Sequence, residues 1–91
     1  MDNNQELEIF KEDFIKYLKQ TFCSPYKVDG NKVSRNEYAE KSGISRGTLS
    51  RLNEGAGYDV PLSTIYKLCK FEDITPKDLF EKFEKYSSLK V

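Results

Sequence analysis

Residues 34–55, Ser-Arg-Asn-Glu-Tyr-Ala-Glu-Lys-Ser-Gly-Ile-Ser-Arg-Gly-Thr-Leu-Ser-Arg-Leu-Asn-Glu-Gly, hold two helix starts and two helix stops. A span this short can only be a pair of brief helices joined by a tight turn. Ser34 followed three residues on by Glu37 is a capping box: the hydroxyl accepts from the Glu37 amide and the carboxylate reaches back to the Ser34 amide. The first helix runs through Tyr38 and Ala39 and stops at Gly43, a residue suited to the left-handed conformation that ends helices. Ser45 is the next N-cap, with Thr48 in the first turn that follows. Leu49 and Leu52, three apart, share one face of the second helix, while Ile44 lies in the turn and points inward. Ala39 is small enough to let the helices cross closely, and Gly55 closes the segment.

With the leucines turned inward, Arg46, Gly47, Thr48, Ser50 and Arg51 are left facing outward. A short rigid helix offering guanidinium and hydroxyl groups suits the base edges of a DNA major groove, which makes 45–54 the expected recognition helix. Arg46 and Arg51 can pair bidentately with guanine, Thr48 can touch a thymine methyl, Ser50 can bond a base or a phosphate, and Gly47 permits close approach. The bland alternative for the arginines is a solvated charge, or for Arg51 a pair with Glu54. Ser34, Arg35 and Ser45 stand at the two helix starts, where the dipole favours an anion, and are expected at phosphates.

Residues 7–22 form a helix by periodicity: Leu7, Phe10, Phe14, Leu18 and Phe22 recur at three- or four-residue steps. Ser24-Pro25 breaks it. The segment 26–33 is then either a small hairpin about Asp29-Gly30 or an irregular solvated loop, and any contact it makes with a DNA backbone falls to Lys27, Asn31 and Lys32. In the connection 55–61, Tyr58 either offers its hydroxyl to a phosphate or packs on the domain edge. A fourth helix starts near Leu62 with Ile65, Leu68 and Cys69 inward. The last, within 75–87, has Thr75 as N-cap, Pro76 where a missing amide costs nothing, and Leu79, Phe80, Phe83 and Tyr86 as its apolar side.

The order Ala39, Gly43, Ile44, Leu49, Leu52 resembles the helix-turn-helix of the Cro/lambda-repressor-like family, also described as xenobiotic-response-element-type regulators. Pro61-Leu62-Ser63-Thr64-Ile65 with Leu68 and Cys69 looks like that family's fourth helix, and Thr75-Pro76-Lys77-Asp78-Leu79-Phe80 like the start of its fifth. The chain departs from the family pattern at Arg35, where Gln is usual, at Asn53, where Glu is common, and in the longer link 21–33. The length of 91 residues fits a single domain, 1–91. The resemblance covers roughly residues 7–86 and implies an all-α, compact five-helix lambda-repressor-like domain. It further implies a double-stranded DNA-binding transcriptional regulator or repressor, acting as a homodimer on a pseudo-palindromic site. Phe80, Phe83, Tyr86 and Leu89 of the last helix are the expected dimer contact.

Composition narrows the alternatives. The net charge is zero, but residues 27–54 carry a net +2 and residues 1–26 a net −2, so the positive excess falls on the motif. No apolar run approaches membrane-spanning length, and the opening residues lack the basic start and apolar stretch of a signal peptide, so a cytoplasmic protein with no membrane partner is expected. The chain has two cysteines and no histidine, which assembles neither a zinc site nor a Cys-His nucleophile; no enzyme, metal or cofactor is expected. Two other readings stay open: the DNA-binding antitoxin of a toxin–antitoxin pair, with the toxin as protein partner, and a protein-interaction adaptor that keeps the fold without contacting DNA.

Overall fold

Five helices and one two-stranded hairpin follow one another in the computed structural model, which describes residues 2–55 and 57–87. Helix α1 (Asn3–Leu18) runs into a π-helical turn at Lys19–Cys23, and the hairpin pairs β1 (Lys27–Val28) with β2 (Asn31–Lys32). Then come α2 (Arg35–Ser42), α3 (Arg46–Glu54), α4 (Leu62–Glu72) and α5 (Pro76–Tyr86). This is the all-α fold the sequence implies.

Helix α1 begins four residues earlier than its apolar periodicity indicates. Asp2 caps it through a reciprocal box with Gln5: the Gln5 amide donates to the Asp2 carboxylate at 2.8 Å and the Asp2 amide to the Gln5 side-chain oxygen at 3.1 Å. The added turn is solvated, and Leu7, expected on the inner stripe, is 51% exposed. At the other end, Leu18 and the adjacent pair Phe22 and Cys23 are all buried. The wider π turn inserts the residue that lets two consecutive side chains face inward.

Between α1 and α2 the chain takes the hairpin form. Lys27 lies opposite Lys32 and Val28 opposite Asn31. Asp29 and Gly30 both have positive φ (53° and 80°), the pairing a two-residue hairpin turn requires. Tyr26, Val28 and Val33 pack against the core while both lysines stay exposed.

One core joins all five helices: Phe14 and Leu18 of α1, Tyr38 of α2, Leu49 and Leu52 of α3, Ile65 and Leu68 of α4, and Leu79 and Phe83 of α5. Helix α5 is held to α1 by aromatic packing, with ring centroids of Phe14 and Phe83 5.0 Å apart and of Phe14 and Phe80 5.4 Å apart. The Tyr17 hydroxyl, buried in the same seam, donates to the Leu79 carbonyl at 3.2 Å. The expected dimer residue Phe83 is thereby corrected: it is 3% exposed and forms part of this internal stack, where a partner cannot reach it. Phe80 and Tyr86 remain 38% and 40% exposed, and Leu89 lies outside the described residues.

Tyr38 is the polar hub of the core. Its fully buried ring packs against Tyr26 and, edge-on, against Phe71, and its hydroxyl donates to the Glu72 carboxylate at 2.6 Å. Phe71 and Glu72 thus share the inner end of α4, one closing the aromatic cluster and the other accepting the phenol. Burial, and then the bond to Glu72, pushes the Tyr38 hydroxyl far above the ordinary phenol range. Replacing Tyr38 by Phe should leave the ring packing intact and strand the Glu72 acceptor, costing about 1–3 kcal/mol in denaturant unfolding.

Both cysteines are free and buried. Burial pushes the Cys23 thiol up to about 11 from an ordinary value of 9.0. The folded chain holds that proton more tightly than the unfolded chain, so the contribution is complete below about pH 9 and is lost as the pH rises toward about 11. Stability measured against pH should fall in that interval, and Cys23→Ala should remove part of the fall.

Candidate nucleic-acid interface

The turn joining α2 to α3 is fixed by local chemistry at every residue. Gly43 adopts φ 77°, left-handed, and its amide donates to the Ala39 carbonyl at 3.0 Å, ending α2. The Ile44 amide donates to Ser42 Oγ at 3.1 Å, and the Ile44 side chain is buried. Ser45 is extended and caps α3 by accepting from the Thr48 amide at 3.1 Å. Its hydroxyl hydrogen is used as well, donated to Thr48 Oγ1 at 2.9 Å. The other motif cap forms by half: Ser34 Oγ accepts from the Glu37 amide at 3.1 Å.

Helix α3 is two-faced. Leu49 and Leu52 are fully buried, whereas Arg46, Gly47 and Arg51 are exposed and Thr48 and Ser50 half-buried. Gly55 ends the helix at φ 80° against Ile15 of α1, where an added Cβ would sit 3.4 Å from Ile15 Cγ2. The leucines therefore set which way the arginines face. Ahead of α3, an open groove of about 660 Å³ runs between α2, α3 and α4, with Asn36, Arg46, Thr48, Ser63 and Lys67 on its walls.

The residues expected at DNA do not all lie in one place. Arg46, Gly47, Thr48, Ser50 and Arg51 share α3, with Ser45 at its start. Ser34 and Arg35 start the adjoining α2, and Lys27 and Lys32 lie opposite one another on the hairpin that leads into it. Tyr58 stands apart. It is half-buried against the core and lines an apolar cleft with Phe10, Val60, Ile65 and Phe80, which matches the packing alternative more closely than the phosphate one. Beside it, Lys11 of α1 pairs with Asp59 at 3.0 Å, a bond that holds the ammonium in its charged form.

Two polar links had no signal in the local sequence. Arg35 Nη1 donates to Ser50 Oγ at 2.8 Å, tying the first residue of α2 to the outer side of α3. Tyr38 to Glu72 ties α2 to α4. Both span more than a dozen residues, so only the packing of the helices brings the partners together.

Among the described residues no group of three or more side chains could hold a metal ion, and no helix is long and apolar enough to cross a membrane. No curated protein sequence and no solved structure matches this chain. The pattern of the Cro/C1-type HTH DNA-binding domain matches residues 29–84, from the hairpin turn to the last turn of α5. That match takes in α2, α3 and the turn between them together with the two helices that support them, and this chain belongs to the Cro/C1-type helix-turn-helix DNA-binding family.

Proposed function

We propose that the chain is a sequence-specific repressor of transcription that binds its operator as a homodimer, with α3 in the major groove. The observation that carries this reading is the two-sidedness of α3: both leucines are fully buried, and both arginines are exposed on a helix with a capped, rigid start. Arg46 and Arg51 are proposed to read guanine edges, with Gly47 allowing close approach. Thr48 Oγ1 already accepts from Ser45, so its own O–H remains to donate to the duplex. Ser50 is proposed to work at the same edges.

The backbone contacts are proposed for Ser34, Arg35, Ser45, Lys27 and Lys32. Lys27 and Lys32 stand opposite each other across the hairpin, a like-charge pairing that costs energy until an anion lies between or beside them. Ser34 Oγ accepts from the Glu37 amide and keeps its hydrogen for a phosphate oxygen. Ser45, whose hydrogen goes to Thr48, would act through the positive end of α3 instead. Such a contact set is small, so affinity should be modest and its fall with salt shallow, with a slope set by the few phosphates neutralised.

Occupying an operator is enough to exclude a polymerase, which is why repression is the activity proposed. One helix of this length covers only a few base pairs, and useful discrimination needs two copies, with half-sites about 34 Å apart. Phe80 and Tyr86 of α5 are the proposed contact between them, being large, aromatic and more than a third exposed. A toxin or another protein partner would use the same residues, and co-purification with a small co-expressed protein is the outcome that reading requires.

Selection from a pool of random duplexes should enrich one sequence class, and Arg46→Ala should then weaken binding to it by about 1–3 kcal/mol while relaxing preference at one base pair. A pool that enriches nothing is the outcome an adaptor without DNA contact requires. Sedimentation at micromolar concentration should give twice the chain mass, and Phe80→Asp should return it to one. A single-chain mass both free and on DNA would end the homodimer proposal.

A further inference from the structure

We propose that Arg35 and Ser50 act as a single donor unit that reads a purine edge, making Arg35 of α2 a specificity-determining residue and not a backbone contact alone. The inference rests on the DNA-binding reading and deepens it by naming what one pair of side chains recognises. Its basis is the 2.8 Å bond from Arg35 Nη1 to Ser50 Oγ, made between helices 15 residues apart in sequence.

Three features give the bond a function beyond bracing. Ser50 lies four residues after Arg46, so the two occupy the same stripe of α3. The contact therefore carries a guanidinium from α2 to within one helical turn of Arg46. Next, none of the ion pairs among the described residues engages Arg35, and a cation at the first position of a helix opposes the dipole. The side chain is held toward α3 by the hydroxyl of Ser50, not by a carboxylate that would neutralise it.

Last, the hydrogen-bond inventory is one-sided. Ser50 Oγ accepts from Arg35, which leaves its O–H to donate, and the guanidinium keeps further N–H groups for the same purpose. A unit made of donors alone matches two neighbouring acceptors. In the major groove that pattern belongs to guanine, with O6 and N7, whereas adenine puts an N6 donor beside its N7. Phosphate oxygens are also acceptors, and a test has to separate the two sources.

The full-length chain is first used to select its preferred duplex. Arg35→Ala, Ser50→Ala, the double variant and Arg35→Lys are then measured on that duplex, on its single-base-pair variants and over a range of salt, with thermal melts as the control for folding. Each single alanine variant should lose about tenfold in affinity and lose preference at the same guanine, and the double variant should lose little more. Arg35→Lys should keep the salt slope and lose the base preference, because an ammonium supplies charge without the fork. Losses that add, or an Arg35→Ala loss that is uniform over all sequences with a shallower salt slope, would overturn the unit and leave Arg35 at a phosphate. A wild-type chain that enriches no duplex would remove the DNA-binding reading and the unit with it. A wild-type chain that enriches one while the variants keep its preferences would remove the unit alone.

Discussion

The outward face of α3 depends on what happens behind it. Ile44, Leu49 and Leu52 are buried together against the rest of the core, and a rotation of α3 would expose some of that apolar surface. Fully burying a leucine is worth about 1.5–3 kcal/mol, so turning two of them toward water would cost far more than any surface contact returns. The orientation of Arg46 and Arg51 is thus a consequence of the core. The caps at Ser45 and Gly55 fix where the helix begins and ends, and the leucines fix how it is turned.

Charge plays the smaller part, and it is distributed accordingly. The chain as a whole is neutral, with its positive excess confined to the middle segment and the acidic excess placed in α1. The ion pairs of the described residues involve Lys11 and Lys16 of α1, not the arginines of the motif. Glu8 and Glu12 of α1 engage Lys11 and Lys16 of the same helix, whereas the arginines of α2 and α3 join none of the ion pairs among the described residues. A weak overall field with a local excess favours recognition by short-range contacts over capture at a distance.

Much of this was legible in the sequence because it is local. Ser34, Gly43, Ser45, Gly55 and the Thr75-Pro76 pair each act within a few residues, and each forms a cap or stop, Ser34 through the Glu37 amide alone and without the reciprocal half of its box. Leu49 and Leu52 announce their burial through helical spacing. The features that were missed come from interactions between distant segments or from residues with no apolar period. Asp2 and Gln5 extend α1 with a polar box ahead of the aromatic stripe. The π turn answers to the burial of both Phe22 and Cys23, which spacing along an ideal helix does not anticipate. Phe83 belongs to an apolar face on α5 whose inner and outer halves look alike until α1 is laid against it. Tyr38 reads as an ordinary helix residue, yet it is fully buried beside Glu72, more than thirty residues away.

The seam between α1 and α5 has a mechanical consequence. Phe10, Phe14 and Tyr17 interleave with Phe80, Phe83 and Tyr86, and a phenol–carbonyl bond pins the middle of that seam. Because α1 also packs on α3, the last helix and the arginine-bearing one are mounted on a common beam. A second copy docked through α5 would therefore hold the two reading helices at a set span and angle, like the jaws of a fixed gauge. Inserting a single base pair between half-sites would move one of them by about 3.4 Å and turn it by about a tenth of a revolution, out of step with that set span.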